Sequence, residues 1–295
     1  MSVIPSTAAT VHAASISAAR RRAFLSHLLL HVVFIFGALL FLAPFFWLLS
    51  TSVKLQGREL MSPPEWIPNP IVFDNYAKVL TRLPFFVYTR NSLTVALTAT
   101  FFGVITASLA GYGFARLRFP FRGPLFSACL ATLMIPSIVT LIPEFLVFKQ
   151  FGMIDSYWPL ILPPSLGGGA FAVFLFRQYA MTIPLDLDEA ARVDGAGAIR
   201  IWWSIILPLS KAVLATMAIL SFISHWNDFL KPTIYLHSLP LRTLAVGLRS
   251  FQGEFTTEWN LLMAASTLMM LPILILFFAA QRYFVQGIVM SGIKG

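Results

Sequence analysis

Residues 189–208 read EAARVDGAGAIRIWWSIILP, a stretch with four charges set between two long apolar runs. Just upstream, Leu185-Asp186-Leu187-Asp188 follows Pro184. Asp186 stands where an N-cap belongs, and Glu189 three residues on completes a variant of the capping box. Asp188 and Arg192 lie four apart in the favourable acid-first order, and Gly195 and Gly197 supply positive-φ residues to end the helix. A second short helix is expected from about Ala198, leading through Pro208 into the next apolar run. Leu187, Ala190, Ala191 and Asp194 share one face by helical spacing. A helix this short is marginal in water by itself, so something must hold it. Two readings stand at this point: the acids cap a helix that the alanines favour, or the alanine face lets another protein's surface approach closely, as in helix-in-groove docking.

The surroundings of this segment define the class of protein. Of 295 residues, 58% are hydrophobic and 11% charged, and the mean hydropathy is +0.79. A soluble domain carries about 25% charged residues, so the chain is read as an all-α integral membrane protein. The formal charge of +9 comes from Lys and Arg scattered at the ends of apolar runs, without the single basic stripe of a nucleic-acid binder. Cys129 is the one cysteine, so no internal disulfide forms.

Uncharged runs occupy 23–53, 91–115, 123–143, 156–176, 212–227 and 259–281. Crossing a hydrocarbon core of about 30 Å takes about 20 residues. Five runs suffice alone; the fifth, 212–227, is short and is expected to draw an extra turn from Ile205–Leu209. Six spans result. Arg20, Arg21 and Arg22 before span 1, and Arg116, Arg118 and Arg122 between spans 2 and 3, place those segments on the cytoplasmic side. The intended outer loops still hold 9 of the 21 Lys and Arg residues, so the orientation rests on those two clusters. Six crossings then put the Glu189 segment and both termini in the cytoplasm. The first apolar run of 31 residues exceeds a signal-peptide core of about 7–15, so it reads as an uncleaved span behind a mobile tail, residues 1–23. MSPPEWIPNP (61–70) is too proline-rich for helix and reads as extended outer loop.

Smaller features carry two meanings each. Gly103, Ala107 and Gly111 in span 2 form a small-residue stripe, which favours close helix packing over a pore role. Pro136 and Pro143 imply a kinked span 3, with Glu144 at its outer end. Gly167–Gly169 interrupt span 4 without the context of a phosphate loop. At the outer end of span 5, Trp226 reads as an interface anchor, and Asn227 and Asp228 as organisers of the loop that follows. That loop, 231–258, either reaches toward a partner or is plain surface. The short, weakly basic C-terminus is either a contact or a frayed end.

The pattern Glu-Ala-Ala, three residues, Gly, nine residues, Ile, one residue, Leu-Pro is met by Glu189, Ala190, Ala191, Gly195, Ile205, Leu207 and Pro208. It resembles the cytoplasmic signature of permease subunits in binding-protein-dependent ABC importers. NSLTVALTATFFGVITASLAGYGFARLRF (91–119), WNDFLKPTIYL (226–236) and the C-terminal block from Leu261 are similar to the carbohydrate-uptake branch, of the maltose or glycerol-phosphate type. The resemblance covers nearly all of 24–295. It implies a type I importer permease fold, with six transmembrane helices and a cytoplasmic helix-turn-helix coupling segment, 185–208. It further implies a prokaryotic plasma (inner) membrane location, two cytoplasmic ATPase subunits, a second permease of a different sequence and an outer solute-binding protein. No cofactor is expected on this chain, since it lacks a Gly-x-x-x-x-Gly-Lys-Ser/Thr loop; ATP and Mg belong to the partner. In that frame Asp186, Glu189, Ala190, Ala191, Asp194, Gly195, Ile205, Leu207 and Pro208 are the candidate ATPase-coupling residues.

The alternatives are an ATP-independent transporter or channel, which calls for intramembrane ionisable residues or an internal repeat, and a membrane enzyme. No repeat is evident. Only His27 and His31 are spaced four apart, without the acid of a His-Glu-x-x-His zinc site, so no metal or catalytic site is expected.

Overall fold

The computed structural model describes the backbone of residues 7–253 and 256–292, and the side chains of 25–253 and 256–281. Within these limits it is a helical bundle. In chain order the helices are α1 (Thr7–Ser52), α2 (Asp74–Arg82), α3 (Phe85–Arg116), α4 (Arg122–Ala131), α5 (Ser137–Gln150), α6 (Trp158–Ser165) and α7 (Ala170–Ala180). They continue as α8 (Asp186–Val193), α9 (Ala198–Ile201), α10 (Leu207–Leu209), α11 (Lys211–Trp226), α12 (Leu230–Tyr235), α13 (Leu244–Leu248) and α14 (Trp259–Gly292). α1 begins at Thr7, so helix reaches back into the segment expected as a tail.

Four stretches are long and apolar enough to cross a membrane: Leu25–Ser52, Phe85–Arg116, Trp158–Ala180 and Trp259–Gln281. The third and fifth expected spans are bent. Arg122–Met134 meets Ser137–Gln150 at 101°, and Ala198–Leu209 meets Lys211–Trp226 at 84°. Counting each bent pair once restores six. The first break falls at the Ile135–Pro136 junction, where Ile135 is extended (ψ 115), as the residue before proline prefers. The second corrects the expected extension of span 5. Ile205–Leu209 turns away instead of lengthening it, because the helix ends at the buried Ser210, φ −95 and ψ 16.

α3 is the spine. Its small-residue stripe lets α6 and α7 lie against it with almost no gap. A Cβ on Gly103 would come within 3.1 Å of the Pro164 carbonyl oxygen, and one on Gly111 within 2.9 Å of that of Val173. Ala107 between them is fully buried. The packing reading of the stripe therefore holds. α3 contributes to all three apolar clusters: Phe85, Tyr88 and Ala96 to one with α11, α13 and α14; Val95 to one with Phe148, Leu160 and Tyr235; Ala107 and Tyr112 to one with α7 and Ile201–Ile206.

At the end of the bundle bearing α13, polar side chains fasten the connecting segments. Asn75 Nδ2 donates to the carbonyls of Ser52 (3.0 Å) and Lys54 (2.8 Å), and Asn260 Nδ2 donates to Asn75 Oδ1 at 3.2 Å. Asn91 Nδ2 holds the carbonyls of Pro240 and Arg242 at 2.7 and 3.0 Å, and the Leu244 amide donates to Ser92 Oγ at 2.8 Å. Asp155, at φ +59, accepts the amides of His237 (2.9 Å) and Ser238 (2.8 Å) and the Ser238 hydroxyl. The hydrogen bonds from Ser238, side chain first and then backbone, hold the Asp155 carboxyl below the usual carboxylate range. So 231–258 is not a plain loop in its described residues: it carries α12 and α13, and buries Tyr235, Leu244, Leu248 and Phe251. Trp226 is likewise no interface anchor. It is buried, stacks on Phe222 with ring centroids 5.7 Å apart, and donates its Nε1–H to the Met269 carbonyl at 3.0 Å.

Candidate functional site

The segment quoted at the outset forms two short helices joined by a glycine turn at the other end of the bundle. α8 starts at Asp186, with Leu185 in the capping position and already in helical conformation, so Asp186 belongs to the first turn and makes no cap hydrogen bond. The amides of Asp188 and Glu189 are satisfied instead by the Leu185 carbonyl, at 2.9 and 3.1 Å. The three acids of the first turn still complement the positive end of the helix dipole. The helix stops in a Schellman arrangement: the Gly195 amide bonds the Arg192 carbonyl (3.0 Å), and the Ala196 amide bonds the Ala191 carbonyl (2.9 Å). Gly195, at φ +79, makes this turn. Gly197, at φ −74 and ψ 165, does not share that role; it is extended and precedes α9.

What holds α8 is a buried charge. Asp188 does not pair along the helix with Arg192. Its side chain points inward, where Oδ2 lies 3.8 Å from Arg116 Nε, both side chains being 3% exposed. Neither carboxylate oxygen has a hydrogen-bond partner among the described residues. The same guanidinium donates through Nη2 to the Ala180 carbonyl (2.8 Å) and to that of Ile183. These carbonyls lie at the end of α7 and in the turn after it, where helix termini leave acceptors unsatisfied. Arg116 thus ties the last turn of α3, the end of α7 and the start of α8 into one joint. Its position after a long apolar helix favoured reading it as a topology marker. The i, i+4 partner available to Asp188 hid the inward pairing.

Beyond Gly195 the chain runs through α9, a π-helical turn at Trp202–Ile206, and α10. Ile201, Trp202 and Ile206 are buried, and Ile205 and Leu207 pack against the same cluster, as does Ala191. These residues set how the segment is seated; Pro208 is exposed beside them. The π turn, which sequence periodicity did not signal, shifts the apolar register so that Trp202 points in and Trp203 points out. Asp186, Glu189, Ala190 and Asp194 lie on the exposed face. With them stand Leu187, Val193 (88% exposed), Ile199 (71%) and Trp203 (61%). Apolar side chains gathered around acids at a bundle end have the composition of a contact surface. Among the described residues, no group of three His, Cys, Asp or Glu could hold a metal ion.

The family described as "Binding-protein-dependent transport system inner membrane component" matches residues 99–290. The chain belongs to that family, and is a membrane-embedded transport subunit. It is 35% identical over 269 residues to the sn-glycerol-3-phosphate transport system permease protein UgpE of Yersinia pestis bv. Antiqua (strain Antiqua), covering 88% of this chain and 95% of the relative. To the arabinooligosaccharides transport system permease protein AraQ of Bacillus subtilis (strain 168) it is also 35% identical over 269 residues, covering 90% and 95%. Its fold matches a chain from the crystal structure of a bacterial ABC transporter that imports the acidic polysaccharide alginate. The TM-score is 0.75 at 21% identity, over 96% of this chain and 100% of that one.

Proposed function

We propose that the chain forms one half of the transmembrane pathway of an ATP-driven importer for a sugar or related solute, and that its α8–α10 segment docks into a cytoplasmic ATPase. The observation that carries this reading is the exposed mixed face of α8–α10, seated from behind by the Arg116–Asp188 joint. A surface offering both Val193 and Glu189 suits a groove with apolar walls and a basic residue at its rim. In this scheme Glu189 meets an ATPase Arg or Lys, Asp194 makes a second polar contact, and Ala190 permits close approach. Two ATPase subunits hold ATP and Mg, a second permease of unlike sequence completes the pore, and an outer binding protein delivers solute. The α8 end and both termini then face the cytoplasm. The relatives' named cargoes, glycerol 3-phosphate and arabinooligosaccharides, support sugars and their derivatives as the cargo class.

The test is solute-stimulated ATP hydrolysis by the reconstituted complex, over a panel of sugars and sugar derivatives, with wild type beside Glu189→Ala. The variant is expected to insert normally yet lose ATPase assembly or stimulation. Full coupling in the variant would return Glu189 to a purely helical role. Transport with no ATPase present would remove the importer reading.

A further inference from the structure

α11 presents two unlike faces. Phe222 and Trp226 enter one apolar core cluster, and Val213 and Met217 another. Leu220, Ser221, Ser224 and His225, followed by Asp228 just past the helix, recur at helical spacing and line a cavity of about 660 Å³. α5, α6, α7 and α12 supply the rest of its wall. That volume lies within the roughly 300–1,000 Å³ of small-molecule sites. Polar groups on a spanning helix are costly to bury without partners. Ser224 is exposed to the cavity side and His225 half-buried, neither with a hydrogen-bond partner among the described residues, and Ser221 meets Thr100 Oγ1 at 3.2 Å. These hydroxyl and imidazole groups are free to bond water or a hydroxylated ligand.

The rim fixes the sign of the site. Lys231 Nζ is held between both carboxylate oxygens of Glu144, at 2.9 and 3.0 Å, so its charge is cancelled. Asp228 accepts the backbone amides of Leu230 and Lys231, the latter through Oδ1 at 3.3 Å, and among the described residues no cation forms an ion pair with its carboxylate. The break in span 4 brings the C-terminal end of α6 and the N-terminal end of α7 to the same wall, where their opposite dipole ends offset one another. Lys231, Glu144 and Asp228 together leave one net negative charge at the rim.

We infer that Ser221, Ser224, His225 and Asp228 form the solute-contacting wall of this subunit, and that it takes an uncharged polyhydroxylated solute and disfavours an anionic one. The inference deepens the importer reading and rests on it for the route by which solute arrives. Its field can be read without knowing the cargo. In the reconstituted complex with Cys129→Ser, Ser224→Cys is labelled by a cationic and by an anionic methanethiosulfonate of similar size. The cationic reagent is expected to react about tenfold faster, from a single carboxylate acting at close range in a partly desolvated site. Asp228→Asn should bring the two rates together. Should Ser224→Cys fail to assemble, Leu220→Cys lines the same cavity and must give the same order. An unreactive thiol, equal rates with Asp228 intact, or a faster anion would overturn the assignment. The same vesicles are then given neutral oligosaccharides or anionic sugars, namely sugar phosphates and uronates. Stimulation of ATP hydrolysis by neutral sugars supports the class, and stimulation by anionic sugars alone refutes it. Labelling as expected with no stimulation by either set leaves the cavity standing and counts against the importer reading.

Discussion

Arg116→Ala is the substitution whose consequence the structure specifies most fully. It removes the cation paired with Asp188, leaving a carboxylate 3% exposed with no hydrogen bond among the described residues, and it strips the carbonyls of Ala180 and Ile183 of a charged donor. Breaking one side of a buried ion pair costs about 3–5 kcal/mol, because the other charge stays buried and uncompensated. The carbonyls can recover part of their bonding from water, so the pair sets the scale. At about 2–4 °C per kcal/mol for a chain of this size, the thermal midpoint should fall by about 6–20 °C. The assay is thermal unfolding of the purified complex, with a double-mutant cycle through Asp188→Asn. The double variant should lose less than the sum of the two single variants, by about 1–3 kcal/mol, since the neutral amide no longer needs the guanidinium. A loss below about 1 kcal/mol for Arg116→Ala, or strict additivity, would refute the idea that this contact fastens α8 to α3.

Two further outcomes follow from the geometry of packing and from charge. Gly111→Ala places a methyl 2.9 Å from the Val173 carbonyl oxygen and 3.0 Å from the Arg177 amide nitrogen, so α3 and α7 must part. Destabilisation of about 1–3 kcal/mol is expected, while Gly113→Ala, with nothing within 4 Å of the new methyl and a gain in helix propensity, should be neutral or stabilising by up to about 1 kcal/mol in the same thermal assay. For Asp155, the folded carboxyl titrates below its unfolded value, so its contribution is fully present above the ordinary carboxylate range and is lost as pH falls through the folded pKa. Acid titration of stability should therefore be shallower in Asp155→Asn; an unchanged acid limb would count against that contribution.

Membrane class, the number of runs and the position of the helix-turn-helix segment were all legible, because apolar runs, basic clusters and the Glu-Ala-Ala pattern are local signals. So was the Gly103–Ala107–Gly111 contact face, whose period is helical. The inward turn of Asp188 was not. Which of two possible cations a carboxylate chooses depends on how three helix ends meet, and that is a tertiary fact. Trp226 was misread for a related reason. An aromatic at a span end has the composition of an interface anchor, and only the packing of α14 beside it turns that ring into core. The apolar character of Ile205–Leu209 suggests a longer fifth span; the bend at Ser210, which sends those residues along another axis, leaves no signature in periodicity.

The pattern of breaks has its own logic. α3 runs 32 residues without proline, about 48 Å at the helical rise, and it alone among the described elements supplies buried residues to all three clusters. At one end Asn91 and Ser92 hold the segment before α13; at the other Arg116 holds α8. Spans 3, 4 and 5 are interrupted instead, at Pro136, at 166–169 and at Ser210. Interrupted backbone at membrane depth is tolerable only where protein or a cavity satisfies it. α5, the α6–α7 break and α11 are the elements that wall the 660 Å³ cavity. The continuous helix therefore sets the distance between the two faces of the bundle, and the interrupted spans supply the irregular, partly polar lining of the cavity.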